Sequence, residues 1–409
     1  MKSKKVLFIS PTPTHPTNAG NRQHIKSLIT FFKEQKWEVH FLYLAYEDYD
    51  EATMRSFTEN LYLIPKNEIF QNKKTIAYVF QKLNIQFCKI KRTVQFYCGI
   101  INKEQYLYNS EVDNHFSVFL KPVIKSLQKK NDFPVVVCEY AFISKSLDLF
   151  KKSVYKILDT HDRFTDRFQT YLDNNLQPDW VSLFKDQERK ALQRANLNLA
   201  VLQKDADYFS KLCGRETLIF NYIPEITDLP EKVFSKKLLY IASENKINIA
   251  TINHFIEKIF PLILKIHPET KLIIGGTICQ KLKQDHNIEL KGSFDDLKSF
   301  YESGDIVINP ELSGTGYKVK TMEALTYGMP IVATTAGAFG VTSVDNNHLF
   351  IADSPQEFAE IIDRLFCDPE LIKITRVNAY MWIKAMKGRN LNDLTTHLSN
   401  DLNKIRGSV

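Results

Sequence analysis

The sequence predicts an α/β protein made of two Rossmann-like, doubly wound domains that face a cleft. Three observations predict it: short apolar runs alternate with helical patterns almost from end to end, the series restarts near mid-chain, and the chain has 409 residues. A typical domain holds about 100 to 200 residues, so the length suits two of ordinary size. With 44% hydrophobic and 25% charged residues, the composition is that of a globular protein with sizeable cores.

The first series opens with an apolar run at 6–10, a helical pattern near 20–35 and a second run at 37–44, which is a βαβ start. The basic N-terminus precedes an apolar run that ends before Pro11, too short for a signal peptide. Runs at 135–138, 155–158 and 197–201 read as further buried parallel strands, and 180–194 as a charged amphipathic helix. Residues 221–237, with Pro224, Pro230 and several charges, read as a linker. The first domain is therefore expected at 1–222 and the second at 223–389. In the second, strands are expected at 238–242, 271–275, 305–309 and 330–333, with helices near 248–265, 295–303 and 317–327. The tail beyond Asp368 reads as helix, and a break at 388–390 would let residues 390–409 cross back to the first domain.

No stretch offers about 18 consecutive apolar residues, so no bilayer span is expected. Six scattered cysteines without a CxxC pair suggest neither a zinc site nor a disulfide framework, and a reducing cytoplasm fits them. The net charge of +7 admits several anionic partners. Nucleic acid is not expected, because the basic residues form no recognised binding motif. One stretch is polarised: between Glu68 and Glu104 there is no acidic residue, while Lys73, Lys74, Lys82, Lys89, Lys91, Arg92 and Lys103 alternate with aromatics. Residues 72–103 read either as solvated amphipathic helices or as a surface for an anionic membrane.

The chemistry concentrates at 309–333, a strand, loop, helix, strand unit. Gly314, Thr315 and Gly316 form a loop whose backbone can approach a ligand, ahead of a helix N-terminus with unpaired N–H groups. Lys318 and Lys320 put cations in the first helical turn, where the helix dipole favours acids; a bound diphosphate would explain them. Glu323, three residues after Lys320, shares its face and can accept hydrogen bonds from two ribose hydroxyls. Lys320 and Glu323 read equally, taken alone, as an ordinary surface pair.

The whole pattern from Pro310 to Thr334, above all Met-Glu-Ala-Leu-Thr-Tyr-Gly-Met-Pro-Ile-Val-Ala-Thr at 322–334, resembles the donor-binding segment of GT-B glycosyltransferases of the retaining group 1 (family 4) kind. The resemblance implies a GT-B architecture, a nucleotide-diphosphate-sugar donor, a saccharide or lipid-linked saccharide acceptor, no cofactor and no metal. It puts Gly292, Ser293 and Phe294 beside the nucleotide base, and Gly20 and Arg22 in the N-terminal glycine loop. Gly20 reads also as a glycine that merely opens a helix. Two departures stand out. The glutamate usual eight positions before Glu323 is Thr315 here, with Glu311 four residues earlier. The cations usual after the first strand of the donor domain are absent, with Ser243 and Asn248 in their neighbourhood.

His161 closes the strand Ile-Leu-Asp-Thr-His at the end where open α/β sheets hold ligands, and Glu139 closes the preceding strand where the family often has a histidine. Both are candidates for catalysis, beside Lys318 and Lys320. His161 reads also as a helix cap. His15, His40, His267 and His286 show no clustering with carboxylates or cysteines at metal spacing. A GT-B epimerase or a silent nucleotide-sugar-binding scaffold are the alternatives to transfer.

Overall fold

Valine-, isoleucine- and leucine-rich runs bounded by polar residues become parallel strands buried on both faces, as βαβ crossovers require. The computed structural model describes residues 4–17, 19–65, 76–173, 176–226, 228–229, 233–294, 297–312, 316–341 and 348–407. The chain divides into two units, 1–222 with 391–409, and 223–390.

The first unit holds β1 (Lys5–Ser10), β2 (Glu38–Ala45), β3 (Asn60–Pro65), β4 (Val135–Glu139), β5 (Tyr155–Asp159), β6 (Leu197–Ala200) and β7 (Thr217–Ile219). They form one parallel sheet in the order β3-β2-β1-β4-β5-β6-β7, so the winding reverses between β1 and β4. Alternate residues serve opposite faces. Leu7, Ile9, Val136 and Cys138 enter one core, while Val6, Phe8, Val135 and Val137 enter the other.

The second unit holds β8 (Lys237–Ile241), β9 (Lys271–Gly275), β10 (Ile288–Gly292), β11 (Ile306–Asn309), β12 (Ile331–Ala333) and β13 (Phe350–Ile351). Their order is β10-β9-β8-β11-β12-β13, all parallel, with the reversal between β8 and β11. Here Leu238, Tyr240, Leu272 and Ile274 face one core, and Leu239, Ile273, Val307 and Ile331 the other.

The structure corrects four expectations. The helix expected at 180–194 is only Lys185–Leu192, because Ser182 and Leu183 are held as extended chain: Ser110 donates to the Ser182 carbonyl and Leu183 to that of Phe164. The helix near 248–265 contains a π turn at Phe255–Ile259 just ahead of Pro261, whose missing N–H disturbs the regular ladder. The expected break at 388–390 is absent. One helix, Pro369–Gly407, runs through it, since an interior glycine costs only about 1 kcal/mol and nothing crowds Gly388. Strands β3, β7, β10 and β13 were not expected; all four are sheet edges, where one side of the strand is unpaired and the apolar pattern is weaker or very short.

Among the described residues one helical run, Lys246–Ile266, is long and apolar enough by composition to cross a bilayer. Phe255, Ile259 and Ile263 on it are buried in the core of the second unit, which accounts for its hydropathy.

Candidate functional site

In the second unit the carboxyl ends of β8 and β11, at the reversal of winding, are where a doubly wound sheet receives a ligand. β11 ends at Asn309, whose amide donates to Thr321 Oγ1 at 3.0 Å and to the Gly337 carbonyl at 2.9 Å, tying the strand end to the helix Val319–Thr326. Lys318 is the N-cap of that helix rather than a residue of its first turn, and no acidic residue occupies the turn. Its buried ammonium donates to Glu311 at 2.8 Å. Lys320 lies in the first turn, donates to Asn248 Oδ1 at 2.9 Å and lies 5.1 Å from the ring centre of Tyr240. Asn248 is held in turn by its amide, which donates to the Ser243 carbonyl at 3.0 Å. Burial pulls the Lys320 ammonium down to about 8, with Lys318 adding to the fall and Glu311 opposing it. The lysine is thus a cation at neutral pH in surroundings that do not favour one, a condition a phosphate would relieve.

Glu323 is buried on the same helix, one turn beyond Lys320. Gly292 ends β10 with φ +72° and accepts from the Gly276 N–H, while Ser293 stays exposed. The Phe294 ring rests 5.0 Å from that of Phe300 and so close over Gly275 that a Cβ there would lie 2.8 Å from it. Gly276, at φ +94°, lets the end of β9 meet the Ala242 carbonyl where any side chain would collide. Gly316 is exposed; Gly314 and Thr315 lie outside the described residues.

In the first unit the corresponding strand ends gather a different chemistry. His161 Nε2 and Glu139 Oε2 are 2.7 Å apart, and His24 Nε2 and Asp159 Oδ2 are 2.7 Å apart. The rings of His24 and His161 lie 4.8 Å apart, and His161 stacks on Tyr140 at 4.0 Å. Tyr140 and His161 both have left-handed backbone, φ +71° and +60°, a conformation that bulky residues adopt only where the surroundings enforce it. All four ionisable side chains are 5% exposed or less. Burial, reinforced by the neighbouring Asp159, raises Glu139 well above the usual carboxylate range. Burial acts on Asp159 in the same sense, but the fields of His24 and His161 outweigh it and hold Asp159 low. Burial also lowers His161 to about 4. One proton therefore stays with Glu139 while Asp159 carries the charge, and the otherwise unpartnered Glu139 Oε1 and Asp159 Oδ1 are served when one carboxyl donates to the other.

Gly20 opens the helix Gly20–Glu34, and Arg22 is buried and paired with Glu47 at 2.8 Å. The structure thus brings His161 and Glu139 into one network and Lys318, Lys320 and Glu323 onto one helix. Two members of the first group, His24 and Asp159, were missed. The signal for His24 was a histidine at a core-facing helical position, four residues before Leu28. The expectation that His267 stands apart from carboxylates is corrected: it meets Asp363 at 2.8 Å, with Cys367 nearby, on a helix that follows it by about a hundred residues. His40 likewise meets Glu38 across one strand. His24, Asp159 and His161 also have the donor types of a metal site. Their partners, however, sit at 2.7 Å, inside the roughly 3.3 Å separation of donors around a tetrahedral ion.

Residues 235–368, which hold Lys318, Lys320 and Glu323, match the family model described as glycosyl transferases group 1. A 149-residue stretch is 28% identical to an uncharacterized 44.6 kDa protein in the cps region of Klebsiella pneumoniae, covering 34% of this chain and 38% of that protein's length. The fold is similar to that of HepE of Anabaena in complex with UDP and glucose, with a TM-score of 0.60 at 13% identity over 97% of this chain and 99% of the other. It is equally similar to the pneumococcal O-GlcNAc transferase GtfA in complex with UDP and GlcNAc, at 0.61 and 12% over 98% and 99%. The similarity to the group 1 glycosyltransferases thus lies in the second unit, over residues 235–368, and the fold of the chain is GT-B.

Proposed function

We propose that this protein is a retaining hexosyltransferase that moves a sugar from a nucleotide-diphosphate sugar to a saccharide or lipid-linked saccharide hydroxyl, in the assembly of a bacterial cell-surface polysaccharide. The observation that carries it is the pair of lysines at the start of the helix Val319–Thr326, one bound to Glu311 and the other to Asn248, with Glu323 a turn further on. As the bond from the anomeric carbon to the diphosphate loosens, charge grows on the leaving group. Lys318, Lys320 and the helix N-terminus stabilise it without reorganising, the kind of preorganisation that dominates many enzymes. Lys320 approaches Asn248, so its ammonium supplies the cation that is missing after β8. Glu323 holds the ribose, and Gly292, Ser293 and Phe294 border the base. In the first unit, Gly20 and Arg22 are the candidates for contact with the donor's sugar or phosphate, and His161 with Glu139 those for the acceptor proton.

The complexes of HepE and GtfA with UDP support a uridine nucleotide, and the cps-region relative supports the polysaccharide role. The reaction needs no metal or other cofactor. The protein works in the cytoplasm, with the helix Ile76–Tyr97 touching an anionic membrane. Calorimetric titration with UDP, GDP and other nucleoside diphosphates tests the donor site. Selective binding of UDP that weakens in Glu323→Ala supports it; a folded protein that binds none is a silent scaffold.

A further inference from the structure

The helix Ile76–Tyr97 has two unlike faces. Val79, Phe80, Leu83, Phe87, Ile90 and Val94 are each more than half exposed, and at about 100° per residue they fall within one arc of about 100°. Lys91 flanks this arc on one side, and Lys82 and Lys89 on the other, with no carboxylate on the helix to balance them. The opposite face closes over a cavity of about 640 Å³, which lies in the usual range for small-molecule sites. Tyr78, Gln81, Lys82 and Ile85 line it from the helix, and Phe116, Phe119, Phe142 and Trp180 supply aromatic walls, with Glu47, Asn114, His115 and Ser117 as polar points among them. Gln81 fastens the helix by donating to the Phe116 carbonyl at 2.6 Å.

The floor of the cavity is Pro11 and Thr12, just past β1, at the reversal of winding in the first unit. Thr12 donates to Glu47 at 3.1 Å, the partner of Arg22, and the cavity wall Phe142 stacks on Tyr140, which stacks on His161. An apolar chamber therefore runs from a cationic, apolar outer surface to the edge of the Glu139 and His161 network. Aromatic walls also stack on sugar rings, but a lining whose surface is mostly apolar, beneath a helix whose outer face is apolar as well, favours a chain of methylene or isoprene units. Lys82, on the rim, complements a phosphate at the head of that chain.

We propose that this cavity is the acceptor's apolar subsite, and that the acceptor is a saccharide carried on a long-chain alkyl phosphate. The assignment rests on the transferase reading above and names its acceptor class. The helix then has two tasks: its outer face rests on an anionic bilayer, and its inner face receives the first units of the chain.

The test uses 10-bromodecyl phosphate, kept below the concentration at which it forms micelles, as a quencher of Trp180 fluorescence in the full-length protein. Saturable quenching is expected that disappears in Trp180→Phe, where Trp37 and Trp382 remain. Shortening the chain by two carbons is expected to weaken binding about tenfold. Ile85→Asp, which places a carboxylate on the half-buried inner face of a surface helix, is expected to weaken it at least tenfold. Phe87→Asp, on the outer face, is expected to leave it unchanged. Quenching that persists in Trp180→Phe, or binding indifferent to Ile85→Asp or to chain length, overturns the subsite. UDP titration of the same samples separates the two claims: lost UDP binding with intact quenching removes the donor site and not the cavity, and the reverse removes the cavity alone.

Discussion

The two units place chemistry at equivalent strand ends in opposite electrostatic styles. In the second, two lysines sit at a helix N-terminus with positive charge to offer, held by one carboxylate and one amide. In the first, two histidines and two carboxylates are buried together and settle their charges by sharing protons. The comparison teaches that one sheet architecture supports either an anion receiver or a proton store. Which one it becomes depends on a few residues just beyond the strands.

The sharpest way to break this contrast is to remove the anion receiver. Lys320→Ala is expected to lower turnover by about 10²- to 10³-fold, as for the loss of one preorganised donor, with the melting temperature close to wild type. Steady-state rates with the donor that titration identifies will measure it. Lys320→Arg is expected to recover part of the loss, and an unchanged rate in Lys320→Ala removes the lysine from the mechanism.

A smaller effect follows from its lowered ionisation. A bound diphosphate favours the ammonium, so binding takes up a proton above the free-protein value of about 8. UDP affinity is therefore expected to fall as pH rises beyond 8, by up to about tenfold per unit, and calorimetry across pH 7 to 10 will follow it. Lys320→Arg is expected to flatten that profile.

The proton store is probed through stability. His161 has a depressed value of about 4, so between the ordinary histidine range and pH 4 the unfolded chain binds more protons than the native one. Stability is thus expected to fall as pH drops from about 6.5 to about 4, by on the order of 3 kcal/mol. Glu139 is raised and has the opposite sign: its contribution is present at low pH and lost as pH rises through its native value. Glu139→Gln mimics the protonated carboxyl and is expected to match or exceed wild type at pH 7.5. Glu139→Ala, which leaves His161 Nε2 without its partner, is expected to cost about 1 to 3 kcal/mol. Thermal melts at several pH values will distinguish them. The smallest expected effect is none at all: chelation with EDTA leaves the transfer rate unchanged, and a loss restored by zinc would make His24, Asp159 and His161 a metal site.

The strands most legible in the sequence were those buried on both faces, because nothing but a core explains Val6 to Ile9 or Val135 to Cys138. Strands β3 and β10 carry polar residues and end at Pro65 and Gly292, and β7 and β13 are only three and two residues long, so their pattern resembled loop. That Lys320 and Glu323 share a face was legible because they fall within one short helix, where spacing alone sets who shares a face. Asn248 stands where a cation is usual in the resembled family, yet its bond to Lys320 joins residues 72 apart and depends on β8 and β11 being neighbours. His24 and Asp159 were beyond reach for the same reason. They meet across 135 residues because β1, β4 and β5 lie side by side, and no local periodicity reports strand order.

The unbroken helix Pro369–Gly407 has a consequence for how the molecule is made. Leu394 and Leu398 complete the core beneath β1 and β4, and Tyr155 donates to Asp401 at 2.8 Å. The unit translated first thus waits for residues translated after the second unit. Until they emerge from the ribosome, an apolar seam on its sheet stays open for the whole synthesis of the second unit, an interval in which nascent chains depend on chaperones.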